Sequence, residues 1–233
     1  MAESIYQGYV IKRQPYQVFD EIITFIIPNK KITCISLGSR KIESKNARNL
    51  FLGSYVEFEI FESRTQDKLS KLKKVHAIKT ADWRYENLIQ FNLLNECVDK
   101  TNKYDKQVFD FYKELLDLIN KNEYSEEMQI LAILKDFCLL SGLNFEVNHC
   151  VKCGSNKLKT ISLTNHGMIC NACFDSKTDR HYGLDVSKVF YYLFNNKLNE
   201  LSKYIAELDF VIKLLKQYID DNTGIKLNAL NHY

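Results

Sequence analysis

The hydrophobic period of this 233-residue chain changes once, near residue 81, and that change limits its fold more than any other feature. Before it, apolar and polar side chains alternate. In "YVEFEIF", Val56, Phe58 and Ile60 share one face and Tyr55, Glu57, Glu59 and Phe61 the other, as a half-buried strand requires. "IYQGYVI", "DEIITFII", "KITCISLG", "SYVEFEIF" and "LKKVHAIK" are five runs rich in Ile, Val, Tyr and Phe, parted by turn-forming breaks, with "PNKK" as a hairpin turn. Five short strands, with a helix-like "SKNARNLF" between the third and fourth, have the size and order of an OB-type barrel. After the change, "RYENLIQFNLLNECVDK", "DKQVFDFYKELLDLINK" and "SEEMQILAILKDFCLLSG" place apolar residues such as Phe111, Leu115 and Leu118 at helical spacing. The third is the most apolar and is expected in the middle of a bundle, opened by Ser125 with Glu126 and Glu127 and closed by Gly142. Asp185 is expected to cap "VSKVFYYLFNN", and the last helical stretch to end near Gly224. The expected fold is α+β and multidomain: a five-stranded OB-fold β-barrel over residues 1–80, then an all-α helical domain over 81–233.

Within that helical part stands "HCVKCGSNKLKTISLTNHGMICNACFD". Cys150, Cys153, Cys170 and Cys173 form C-x2-C, then 16 residues, then C-x2-C, the spacing of a four-cysteine zinc site. Two intervening residues let both sulfurs of a pair meet one tetrahedral ion at about 2.3 Å, and Gly154 permits the tight turn around it. The expectation is one structural Zn²⁺ in a module at about 148–176, with a small hairpin between the pairs. Lys152, Lys157 and Lys159 would offset the net negative charge of four thiolates around one dication. A catalytic zinc keeps a position for water, and a full set of sulfurs does not. Iron remains open, though a tetrahedral sulfur site without cluster spacing favours zinc. A redox CxxC would call for one pair at a helix start, and a base deaminase for H-x-E upstream of P-C-x-x-C, which is absent. His149 and His166 read as surface or supporting groups, and Cys34, Cys97 and Cys138 as core.

The net charge of +3 is unevenly spread: residues 1–80 hold 14 Lys and Arg against 8 Asp and Glu, and the remainder 18 against 21. The basic third points to an acidic partner, nucleic acid being the commonest. Arg40, Lys41, Ser44, Lys45 and Arg48 cluster after the third strand, and Lys68, Lys71, Lys73 and Lys74 before the fifth. In a small barrel both clusters could flank one groove, where cations and hydroxyls meet phosphates. Tyr9, Tyr16, Tyr55 and Phe61 lie in or near strands, where an exposed ring would stack on a base, although most belong to the core. The N-terminus lacks a secretory pattern and no apolar run reaches the roughly 20 residues of a membrane span, so a soluble, cytoplasmic protein with no membrane partner is expected, nucleoid-associated where its acidic partner is DNA. No phosphate-binding loop, dinucleotide fingerprint, H-E-x-x-H or G-x-S-x-G occurs, so no enzymatic activity is expected.

In its motifs the chain resembles the bacterial recombination mediator and DNA repair family RecO. "GYVIKRQPYQVFDEIITFIIPNKKITCISLGSRKIESK" is similar to the family's opening, with its basic motif at Gly38, Arg40, Lys41, Ser44 and Lys45. "GLNFEVNHCVKCG" and "GMICNAC" resemble its zinc module, and "YIDDNTGIKLNAL" its last helix and tail. "PNKK" departs from the family in lacking the usual hairpin Gly. The resemblance implies an OB fold binding single- and double-stranded DNA, with Arg40, Lys41, Ser44 and Lys45 as contacts, and a helical domain carrying the four-cysteine zinc. It further implies annealing of complementary strands and, with RecR, loading of RecA onto DNA coated by single-strand binding protein (SSB). The rivals are a zinc-ribbon protein preferring structured RNA, a hidden metal-dependent nuclease, and a protein-interaction scaffold whose lysines are only solvated.

Overall fold

Alternation in the first third produces five strands: β1 (Glu3–Tyr16), β2 (Asp20–Ile27), β3 (Lys30–Ser36), β4 (Tyr55–Phe61) and β5 (Ser70–Lys79). The computed structural model describes residues 2–65, 68–82, 84–101 and 104–233. The strands close a barrel in the order β1-β2-β3-β5-β4. Inward-facing Val10, Ile23, Phe25, Val56, Phe58, Ile60 and Val75 fill it, with the Phe25 and Phe58 rings stacked at 3.9 Å. Gly8 is needed where β1 meets β2, because a Cβ there would stand 2.3 Å from the Ile26 carbonyl oxygen. The expected hairpin at "PNKK" is a two-residue turn, Pro28 and Asn29, between Ile27 and Lys30. The helix-like stretch before β4 is only a 3-10 turn, Ala47–Asn49.

The helical period yields α1 (Leu88–Lys100) and α2 (Lys106–Lys121), which belong with the barrel to one compact unit, Met1–Lys121. Tyr9 explains part of that grouping. Its ring lies 5.2 Å from Tyr112 and 5.5 Å from Phe109, so it is buried and unable to meet a base, and burial followed by Asp117 pushes its hydroxyl up to about 12. Asp99 on α1 pairs with Lys12 and Lys31, and Asp117 on α2 with Lys79.

A second unit, Asn122–Tyr233, holds α3 (Glu126–Leu140), a hairpin of β6 (Leu158–Ser162) and β7 (Gly167–Cys170), α4 (Leu184–Phe194) and α5 (Ile205–Thr223). Ser125 caps α3 by accepting the Met128 amide, and ten of the helix's fifteen residues are buried, as its apolar sequence implies. Asp185 does not cap α4. Gly183 takes that place with φ +87°, and Asp185 sits in the first turn paired with Lys188 at 3.0 Å. Gly224, left-handed at φ +71°, ends α5. Among the described residues no helix is long and apolar enough to cross a membrane.

Candidate functional sites

A groove of about 600 Å³ opens on the barrel where β3 and β5 part. The two strands pair in parallel only at Cys34 with Ser70 and Ile35 with Lys71. Beyond that point the edge of β5 is satisfied by two side-chain amides from the loop between β3 and β4. Asn46 accepts the Val75 amide and donates to the Lys73 carbonyl, while Asn49 accepts the Ala77 amide and donates to the Val75 carbonyl. The loop is thereby laced to β5, and its cations face those of the strand.

Both basic clusters meet there: Lys41, Ser44 and Lys45 line one side and Lys73 and Lys74 the other, with His76, Leu37 and one carboxylate, Glu43, so the lining carries four ammonium groups against one acid. Lys73 and Lys74 both point outward because the register slips from Glu59 opposite Lys74 to Ile60 opposite Leu72, leaving Lys73 as a bulge. The cations are not equivalent. Lys73 contacts Glu3 and Glu59, each at 2.8 Å, and these two, Glu3 first, hold its ammonium above the ordinary lysine value. Lys41, Lys45 and Lys74 have no carboxylate partner among the described residues, and all three are exposed. Ser44 is turned to local use, its hydroxyl accepting the Ala47 amide. Arg40, Arg48 and Lys71 are exposed but lie outside the lining. Of the remaining aromatics Tyr16 is exposed, and Tyr55 and Phe61 are half-buried.

The sequence alone hid the two asparagines that shape the groove. Their three-residue spacing within the helix-like stretch, which puts both on one side of it, was the available signal.

In the second unit, the thiols of Cys150, Cys153, Cys170 and Cys173 lie within 4.8 Å of one another, positioned to bind a metal ion. Sulfurs about 2.3 Å from a tetrahedral ion stand about 3.8 Å apart. The Cys153 and Cys170 sulfurs are 3.6 Å apart, so the cage is near the right size. Two turns build it: Gly154, at φ +72°, donates its amide to the Cys150 carbonyl, and the Cys173 amide donates to the Cys170 carbonyl. Burial opposes charge on Cys150, but the backbone amides of Cys170, Lys152 and Cys153 outweigh it and bring the thiol down to about 6. Cys173 is pushed up to about 12 by the Cys153 and Cys170 sulfurs. Four crowded thiols ionise together only around a cation.

His149 is exposed, and His166 instead contacts the Tyr218 hydroxyl on α5, so neither joins the cage. Lys159 lies over the Phe174 ring at 3.8 Å. Lys152 reaches the Cys173 carbonyl at 3.3 Å and the buried Asp179 at 3.4 Å.

Asp179 is a clasp the sequence did not reveal. It accepts from Ser162 at 2.6 Å, Asn165 at 2.8 Å and the Asp175 amide at 3.1 Å. Burial raises its pKa, but Ser162, the Asp175 amide and Lys152 prevail and hold it below the usual carboxylate value. Asp179→Ala strands several buried donors and is expected to destabilise this unit by about 3 kcal/mol. A carboxyl with a depressed folded pKa stabilises fully above its unfolded value and loses that contribution as pH falls through the folded one. Thermal melts of both proteins at neutral pH and under increasing acid should therefore show the gap closing at low pH; a constant gap would mean the charge contributes nothing.

A sequence model described as "Recombination protein O C terminal" matches residues 85–231. The chain is 27% identical to the DNA repair protein RecO of Mesoplasma florum, over 99% of this chain and 90% of that one. It is also 27% identical to the DNA repair protein RecO of Clostridium perfringens, over 90% of this chain and 87% of that one. A putative aspartyl-tRNA synthetase of known structure from Leishmania major Friedlin is similar at a TM-score of 0.29 and 11% identity, covering 69% of this chain and 32% of that one, too low to argue from.

Proposed function

The chain belongs to the recombination protein O family of DNA repair proteins, and from that membership we propose that it is a non-enzymatic recombination mediator. In this reading residues 1–80 are the OB-fold nucleic-acid-binding domain and 81–233 a helical domain with its zinc module at about 148–176. The observation that carries the reading is the groove, where two clusters remote in sequence put Lys41, Lys45 and Lys74 together without carboxylate partners among the described residues.

Annealing breaks and forms no covalent bond. It brings two polyanions together, and a row of cations that displaces their counterions lowers the repulsion between them. Arg40, Ser44, Arg48, Lys71 and Lys73 extend the contact surface around these three lysines. The protein binds single- and double-stranded DNA, anneals complementary strands, and with RecR helps RecA onto SSB-coated DNA in the cytoplasm, at the nucleoid. One structural Zn²⁺ sits among Cys150, Cys153, Cys170 and Cys173.

The test is titration of labelled single-stranded DNA at several salt concentrations, followed by addition of the complementary strand in the presence of SSB. Salt-sensitive binding and faster annealing with both strands intact are expected. Absence of binding at low salt, or cleavage by the pure protein, overturns the reading.

A further inference from the structure

Two loops at one rim of the barrel carry large apolar side chains out into solvent. Val18 and Phe19 lie on the turn between β1 and β2, exposed to 73% and 51%, and Ile42 on the loop after β3 is exposed completely. Leu37, on the same loop, is exposed and also lines the lysine groove. A monomeric soluble protein rarely gathers so much apolar surface without a partner for it.

The backbones of the two loops are tied to each other. The Arg40 amide donates to the Phe19 carbonyl at 2.9 Å, the Arg40 guanidinium to the Val18 carbonyl at 3.3 Å, and the Gly38 amide to the Asp20 carboxylate at 2.7 Å. Gln17, left-handed at φ +54°, starts the turn in a conformation that non-glycine residues rarely adopt. The Lys41 ammonium lies 5.4 Å from the Phe19 ring centre and belongs to the groove as well, so the apolar rim and the cationic lining adjoin.

We propose that Val18, Phe19 and Ile42 form an apolar finger that packs against unpaired nucleobases of a single strand whose phosphates lie along the groove. This rests on the nucleic-acid reading of the groove. An unstacked base offers an apolar π-face beside a phosphate, which is the complement of an aromatic ring beside lysines that have no carboxylate partner among the described residues. Bases in a duplex are stacked on one another and present no such face, so the finger favours single strands.

The experiment compares a single-stranded DNA with an abasic strand of the same length and backbone, for the unaltered protein and for a Phe19→Ser, Ile42→Ser double variant. The unaltered protein should bind the strand with bases on the order of tenfold more tightly. The variant should bind both strands alike with an unchanged salt slope, since no cation is altered. Equal binding of both strands by the unaltered protein overturns the finger and leaves the rim to a protein partner, as does a variant that keeps the preference. Binding of neither strand overturns the groove reading itself and the finger with it, whereas binding without base preference overturns the finger alone.

Discussion

Replacing Lys41, Lys45 and Lys74 together by Gln should weaken binding of single-stranded DNA about a hundredfold at 0.1 M salt and make the log–log salt slope shallower by about two. The magnitude follows from counterion release, in which each phosphate contact on a single strand adds about 0.7 to the slope and so about 0.7 of a decade of affinity at that salt concentration. The three lysines are chosen because they line the groove, are exposed and lack carboxylate partners among the described residues. Lys12, Lys31 and Lys79 supply the internal control. They carry the same formal charge, but they lie outside the groove lining and each contacts a carboxylate, Lys12 and Lys31 sharing Asp99 and Lys79 meeting Asp117, so their replacement should leave the slope unchanged. Lys73 should fall between, since a phosphate must compete with Glu3 and Glu59 for its ammonium. Exposed side chains away from the core change stability by no more than about 0.5 kcal/mol, so an unchanged melting temperature should accompany the loss. A triple variant that keeps the parent slope would remove the groove from the interface.

What the sequence made legible was local. Strand alternation in "YVEFEIF" places Val56, Phe58 and Ile60 inside the barrel, and the C-x2-C spacing brings four sulfurs together, because each pattern depends on residues a few positions apart. What it hid depends on distant backbone. Asn46 and Asn49 read as part of a helix-like stretch until the short β3–β5 pairing leaves the edge of β5 for their amides to satisfy. The bulge at Lys73 arises in pairing with β4, and neither strand predicts it alone. Tyr9 sits in a strand where either face was open to it, and Phe109 and Tyr112, a hundred residues on, decide that it is buried. Phe19 is hidden for the opposite reason: an aromatic next to a strand reads as core, and only the turn geometry sets it in solvent. The clusters after β3 and before β5 were therefore legible as basic segments, but the groove that joins them was not.

The same distinction governs the metal. Stripping the ion with a strong chelator, or replacing Cys150 by Ser, should unfold the module around β6 and β7 while leaving the affinity of the groove for DNA within about twofold, inside the usual context dependence of surface effects. Apart from the Asp179 clasp, the module has only a small apolar cluster to hold it. Its apolar cluster is Cys150, Ile169 and Cys170, with Val151, Leu158, Cys173 and Phe174 partly buried around them, and three of its members are among the four thiols positioned to bind a metal ion. So small a core does not fold alone, whereas a structural zinc bound by four thiolates contributes about 10 kcal/mol or more. The damage should spread along named hydrogen bonds. The Ile161 amide donates to Ser187 on α4, and the Tyr182 amide donates to Thr160 on β6, so losing the hairpin unties the start of α4. Hydrogen exchange on the metal-free protein should show protection lost first at residues 158–170, then at the N-terminal turn of α4, while the barrel strands exchange as before. Metal analysis of the untreated protein should return one ion per chain. If the ion leaves completely and β6 and β7 keep their protection, the four thiols do not brace the fold, and a role for that ion in binding or chemistry would have to be sought instead.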